Sequence, residues 1–125
     1  MGKSDPIIFN AYYNALKKEL KDRHINNVAF MGFNEPNQLT IQIEKNLCSG
    51  IHGADFFDIS RENWDINKEW KYTNNPKYDL IICTRCPFFA ENPKKLINDF
   101  YSALLPGGVL LLDFGLGDHY RFNSG

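Results

Sequence analysis

Two almost continuously apolar segments with a helix-length stretch between them constrain the fold of this chain most strongly. Residues 78–84 and 109–114 carry very few polar side chains. A strand covered on both faces is apolar throughout, whereas a strand with one wet face alternates. Asn92-Pro93 is a helix-start signal, and apolar residues at helical spacing follow it. The predicted buried face of this helix consists of Leu96, Ile97, Phe100 and Leu104.

The rest of the chain alternates between helix and strand in the same way. Helix starts are indicated by capping residues next to proline, and helix ends by Asn or Gly. The predicted elements are a helix from Asp5-Pro6 to Asn26-Asn27, a strand at 28–31, a helix from Asn34-Glu35-Pro36 to Ser49-Gly50, a strand at 51–59, and a loop at 72–77. Residues 60–70 fit either a short helix or a turn followed by a short strand. Leu105-Pro106-Gly107-Gly108 is predicted to end the third helix before the last strand.

This order predicts a single α/β domain, residues 1–125, with a mainly parallel sheet, because strand–helix–strand units form right-handed crossovers. A length of 125 residues fits one domain. Ligands of such sheets bind outside the carboxyl ends of the strands. The predicted ligand-binding edge therefore comprises residues 32–35, Asp58, residues 84–89 and residues 113–119.

Composition narrows the classes of partner and compartment. The 14 basic and 15 acidic residues give a net charge of −1, and no basic cluster indicates nucleic-acid binding. The apolar runs are too short to span a membrane. Three cysteines do not form a disulfide framework, so free thiols and a cytoplasmic location are predicted. Cys83-Thr84-Arg85-Cys86 lacks a second cysteine pair, and we predict no metal site.

Three segments resemble class I S-adenosylmethionine-dependent methyltransferases. In that family an aromatic-Asp pair opens the fourth strand, as Tyr78-Asp79 does here, and a Leu-x-Pro-Gly-Gly turn enters the fifth, as residues 104–108 do. Residues 57–60 are similar to the end of the family's second strand. The resemblance spans residues 28–114. It implies a Rossmann-like, mainly parallel sheet with flanking helices, without the family's last strands.

The resemblance implies S-adenosylmethionine as cofactor and assigns its ligands. An acidic residue after the second strand binds the ribose in the family, and Asp58 stands 26 residues beyond Gly32. Without the resemblance, Gly32 would be an ordinary turn and Asp58 a helix cap. The full set implied to bind the cofactor is Gly32, Asn34, Asp58, Asp65 and Thr84.

Two of these residues match the family less closely. The first loop keeps only Gly32 of the family's three glycines, so Asn34 is predicted to adopt the positive φ of the second. Pro36 cannot do so at the third position. Phe30 replaces the acidic residue that faces the cofactor's ammonium group, and Glu35 is the nearest carboxylate. Asp65 matches the acidic residue near the adenine, although only six residues separate it from Asp58.

No catalytic residue is assigned by the sequence. His119 is the one candidate general base, because its ordinary pKa is near neutral, and the alternative is a surface histidine. Residues 86–89 occupy the place of an Asn-Pro-Pro-aromatic motif, but Cys86 replaces its Asn, so amino-group methylation is not carried over. Phe88 or Phe89 lines the substrate pocket or the core.

Two functions therefore stay open. The first is methyl transfer from S-adenosylmethionine to an unknown acceptor. The second is a catalytically inactive binding or self-association module, because residues 109–114 would form an uncovered apolar edge. Such an edge predicts a homo-oligomer formed through the last strand. The chain is also compatible with the N-terminal part of a longer methyltransferase domain.

Overall fold

The computed structural model describes residues 5–20, 25–46, 54–84 and 91–113. In these parts of the chain the elements are α1 Asp5–Leu20, β1 Val28–Met31, α2 Gln38–Asn46, β2 Ala54–Phe57, β3 Tyr78–Thr84, α3 Pro93–Ser102 and β4 Leu104–Asp113. The four strands form one parallel sheet in the order β2-β1-β3-β4. The predicted α/β class with a parallel sheet and flanking helices is confirmed. None of the described helices is both long and apolar enough to cross a membrane.

The two central strands of the sheet, β1 and β3, are buried on both faces. One cluster joins α1 and α2 to the sheet through Leu16, Leu20, Leu39, Ile43, Val28, Phe30, Leu80 and Ile82. The opposite cluster joins α3 and two tryptophans to it through Leu96, Phe100, Trp64, Trp70, Ala29, Met31, Ile81 and Cys83. All four residues of β1 are buried. This two-sided burial explains why β1 and β3 are apolar without alternation.

The segment between β2 and β3 resolves an alternative that the sequence left open. A short 3-10 helix, Ile59–Arg61, follows β2, and turns continue to the predicted loop. Glu62 and Asn74 have positive φ, which interrupts any regular element. The segment is held by Trp64 and Trp70, 8% and 3% exposed. No third strand lies between residues 58 and 77, so Asp65 has no strand to follow.

The last strand begins earlier than predicted. β4 starts at Leu104, which pairs with Tyr78, and the next paired residue, Val109, lies opposite Leu80. The Pro-Gly-Gly stretch therefore forms a bulge inside the strand. The prediction that Leu104 belongs to the helix is wrong, because α3 ends at Ser102 and Ala103 caps it. Gly107, with φ of 82°, takes a conformation that disfavours other residues.

The helix ends also differ from the predictions in part. Residues from Ile25 onward are no longer helical, so the described part of α1 ends at Leu20 rather than at Asn26. α2 begins after Asn37, not at residues 34–36. Asn37 Oδ1 accepts a hydrogen bond from the Thr40 amide, and Thr40 Oγ1 accepts one from the Asn37 amide. This reciprocal cap sets the start of α2.

The cysteines differ from the prediction at one position. Cys83 is fully buried in β3 and is disulfide-bonded. The prediction of free thiols is therefore wrong for Cys83, because a cysteine count does not reveal which sulfur atoms the fold brings together. Cys48 and Cys86 lie outside the described residues. The cytoplasmic location stays a prediction, without the support that free thiols would give.

The Tyr78-Asp79 pair fastens neighbouring strands together. Asp79 Oδ2 accepts hydrogen bonds from the backbone amides of Asn26 and Asn27, each 3.0 Å long, just before β1. The Tyr78 hydroxyl donates to Asp55 Oδ2 on β2 over 2.8 Å. In this chain the pair that opens the strand therefore has a structural role at the amino ends of the strands.

Candidate functional site

Four residues of the predicted ligand-binding edge lie side by side at the carboxyl ends of the strands. Neighbouring strands are in register there. Across the sheet, the residues at this level are Asp58, Gly32, Thr84 and Asp113. The chain runs outward from β1 to β2 in one direction and from β3 to β4 in the other. The gap between the ends of β1 and β3 is therefore a topological switch point, where α/β sheets bind ligands.

Gly32 makes the turn that leaves β1. Its φ is 81°, a conformation that glycine adopts without steric cost. Its backbone amide donates to the Phe57 carbonyl over 2.6 Å, which continues the pairing with β2. That amide is therefore engaged within the sheet. The contribution of Gly32 to a ligand site is open space at the end of β1.

Asp58 forms the helix cap that was the alternative to ribose binding. Its Oδ2 accepts hydrogen bonds from both the backbone amide and the hydroxyl of Ser60. Its own amide donates to Asn63 Oδ1 over 2.9 Å, and Asn63 Nδ2 donates to the Phe56 carbonyl. Among the described residues, Oδ1 of Asp58 has no hydrogen-bond partner. The cap thus orients the carboxylate through one oxygen, and the other oxygen accepts no hydrogen bond from the described part of the chain.

Asn34 lies in the loop after Gly32, but not in the conformation predicted for it. The described non-glycine residues with positive φ are Glu62 and Asn74, so the positive φ predicted for Asn34 is wrong. Gly32 alone completes the turn. The Asn34 carbonyl instead accepts a 2.6 Å hydrogen bond from Arg61 Nη1. This bond ties the loop after β1 to the short helix after β2.

Asp65 stabilises a turn further along. Its Oδ1 accepts from the Asn67 amide over 3.0 Å, and Asn67 Oδ1 accepts from the Glu91 amide over 2.9 Å. A cavity of about 80 Å³ lies between this turn and the start of α3, near Asn92 and Lys95. Ligand pockets usually measure about 300–1,000 Å³. The cavity is therefore too small for a nucleoside.

Three residues near Asp58 were not identified from the sequence. Ile59 is 66% exposed directly after Asp58 and offers an aliphatic surface at this edge. Arg61 holds the neighbouring loop, and its guanidinium carbon lies 5.8 Å from the centre of the Phe56 ring. Asn63 positions the Asp58 backbone. A three-residue helix leaves no periodic pattern, so the sequence carried little signal for them.

Among the described residues, the titratable group with a clearly shifted pKa lies at the opposite end of the sheet. Burial, followed by the hydrogen bond to Asp55, raises the pKa of Tyr78 far above its usual value. Lys77 approaches the same carboxylate, with its Nζ 3.7 Å from Asp55 Oδ2. A phenol kept neutral in this way cannot act as a base near pH 7. The cluster therefore joins β3 to β2 and has a structural role.

Several residues singled out from the sequence lie outside the described residues: Cys86, Phe88, Phe89 and His119, as do the stretches 85–89 and 114–119 of the predicted ligand-binding edge. The role of His119 as a base stays a prediction. Thr84 is placed by its pairing with Asp113 on β4. Within the described ranges, no three His, Cys, Asp or Glu side chains gather in a group able to hold a metal ion.

Comparison with protein-family models, curated proteins and solved structures gave no match to this chain. The resemblance to class I methyltransferases therefore depends on the residues quoted above and on a parallel sheet with a switch point beside Gly32.

Proposed function

We propose that this chain binds S-adenosylmethionine at the carboxyl edge of its sheet and transfers the methyl group to an acceptor that is still unknown. One observation carries the proposal. Asp58 lies at the end of β2, level with Gly32, and keeps one carboxylate oxygen without a partner among the described residues. An oriented acceptor beside a switch point suits a ligand with a vicinal diol.

Two features of this edge support binding of the adenosine part of the cofactor. The two ribose hydroxyls are donors, and a carboxylate oxygen has two lone pairs to receive them. Ile59 stands next to Asp58 with its side chain exposed, so an adenine ring can bury apolar area against it. Gly32 keeps the space between the two strand ends free of a side chain.

The methionine part of the cofactor has fewer matching groups. Phe30 is fully buried and carries no carboxylate for an ammonium group, which leaves Glu35, exposed in the loop after β1, as the candidate. When bound, the cofactor supplies an electrophilic methyl group that leaves sulfur as an acceptor atom attacks in line. The contribution of the chain is then alignment of the acceptor, which can lower a barrier without a dedicated base.

A second candidate function is an inactive binding module. The Gly32 amide is engaged with Phe57, and Arg61 holds the Asn34 carbonyl across the loop. This loop therefore offers fewer free backbone donors than a glycine-rich loop would. Methyl transfer requires cofactor binding beside this loop, whereas the inactive module does not.

The test is isothermal titration with S-adenosylmethionine and S-adenosylhomocysteine. Asp58→Asn keeps an oxygen for the Ser60 cap but removes the charge, and Glu62→Gln removes a charge from the same segment. Micromolar binding that weakens roughly 10- to 100-fold in Asp58→Asn alone is expected, since a hydrogen bond to a charged group contributes about 1.5–3 kcal/mol.

The outcomes separate the two functions. No heat from a folded chain with either ligand would refute methyl transfer and leave the inactive module. If binding is present, the chain is incubated with the cofactor and pools of candidate acceptors, and release of S-adenosylhomocysteine is measured. Release above that of Asp58→Asn supports transfer, while binding without release supports the inactive module.

A further inference from the structure

The outer edge of β4 is uncovered in the part of the chain that the structure describes. β4 pairs with β3 on one side, and no described strand lies on the other. Its apolar residues from Val109 to Leu112 are only half-buried, although β1 is fully buried. An apolar strand with unpaired amide and carbonyl groups recruits another strand.

One flank of α3 extends this apolar edge. Leu96 and Phe100 face the sheet. The flank that includes Ser102 faces the segment before β3, because Ser102 Oγ accepts from the Asn74 amide. At 3.6 residues per turn, Ile97 and Tyr101 lie on the opposite flank, toward the free edge of β4.

Tyr101 is 60% exposed there, while Ile97 is half-buried. A large aromatic ring beside an open apolar strand is typical of an interface rather than of a solvated helix face. We call the combined surface the edge patch; it consists of Ile97, Tyr101 and residues 109–112.

We propose that a second copy of this chain covers the edge patch, with the two β4 strands antiparallel about a two-fold axis. This arrangement would double the four-stranded sheet. A two-fold axis presents the same patch on both partners, which is the usual geometry of closed dimers. The helices of both copies would then cover the two faces of one continuous sheet.

The distribution of charge along β4 fits this arrangement. Residues 104–112 contain no charged side chain, and Asp113 stands at one end. If the axis passes between Leu110 and Leu111, antiparallel pairing separates the two Asp113 residues by about 17 Å, at about 3.4 Å per residue. That exceeds the Debye length of about 8 Å at physiological ionic strength. Parallel alignment would instead bring the two carboxylates together.

The apolar character of both faces of β4 also favours a second copy. Val109 and Leu111 pack toward the cluster with α1 and α2, whereas Leu110 and Leu112 pack toward the cluster with α3. A covering strand must therefore be apolar on both faces. Residues 119–122 of this chain alternate charged or polar with aromatic side chains and could match only one face. β4 of a second copy matches both.

The test measures mass by sedimentation velocity and light scattering, up to about 100 μM. Tyr101→Lys changes an exposed residue of the edge patch, and Leu111→Lys changes the strand itself. Ile41→Lys is the control, because Ile41 is 55% exposed on α2, which lies on the other half of the sheet. We expect a dimer for the wild type and for Ile41→Lys. The dimer dissociation constant should be at least tenfold higher for either patch variant than for this control.

Circular dichroism checks that each variant is folded, and Tyr101→Lys decides the matter if Leu111→Lys is not. A wild type that is monomeric throughout, or a dimer unaffected by Tyr101→Lys, overturns the proposal. Hydrogen exchange then identifies the alternative. A monomer whose β4 amides are all protected has its edge covered by its own residues, such as 114–125.

Discussion

Replacing Gly108 with alanine tests whether the bulge in β4 is as tightly packed as the structure indicates. A Cβ atom added to Gly108 would lie 2.9 Å from the Leu105 carbonyl oxygen, 3.0 Å from Leu104 Cδ2 and 3.2 Å from the Asp79 carbonyl oxygen. Two of these three atoms are backbone and cannot rotate away. Overpacking of this kind costs about 1–3 kcal/mol, and we place Gly108→Ala in the upper half of that range.

Urea denaturation measures this cost as a change in midpoint at constant slope. A loss of about 2–3 kcal/mol is a large part of the roughly 5–15 kcal/mol that stabilises a domain.

Gly107 provides the comparison, because its constraint is the backbone angle rather than the space around it. Its φ is 82°, and asparagine tolerates that region better than alanine. Gly107→Asn should therefore be milder than Gly107→Ala, whereas Gly108→Asn should be no milder than Gly108→Ala. A Gly108→Ala chain within about 0.5 kcal/mol of wild type would refute the steric reasoning.

Two further predictions concern the amino ends of the strands. Asp79→Ala removes the acceptor of two backbone amides and should lower the free energy of unfolding, measured in urea, by about 2–3 kcal/mol. Asp79→Asn keeps an oxygen and should lower this free energy less. Equal losses in the two variants would contradict this account. The raised pKa of Tyr78 means that only the unfolded chain readily releases this proton, so stability is retained below about pH 10 and falls above it by about 1.4 kcal/mol per pH unit. Tyr78→Phe should lack that part of the slope when unfolding is followed between about pH 9 and 11, and parallel curves for the two chains would contradict it.

The two central strands were predictable from sequence, because burial on both faces leaves a continuous apolar run. The predicted bounds of β1 and β3 agree with the structure. The sequence left residues 60–70 open between two alternatives, because tertiary packing of Trp64 and Trp70 holds this segment. No local period marks such a segment. The early start of β4 was missed for a similar reason, since its bulge depends on pairing with β3.

The sequence predicted which strand ends carry the candidate site, but not how its side chains are bonded. Spacing along the chain placed Gly32 and Asp58 at one edge, and the register puts them level. The sequence could not show that one oxygen of Asp58 caps a helix while the other accepts no hydrogen bond from any described residue. Nor could it show the bond between Arg61 and the Asn34 carbonyl, because those residues lie 27 positions apart and meet only after the sheet forms.

The strand order has a consequence for synthesis of the chain on the ribosome. β1 is made first, yet it lies in the interior of the sheet and needs β3 on one side. About 50 residues separate the end of β1 from the end of β3, which takes roughly 3–10 s at about 5–20 residues per second. During that interval the most buried strand of the protein has one edge without its partner. The nascent chain is then a natural client for chaperones that bind extended apolar segments.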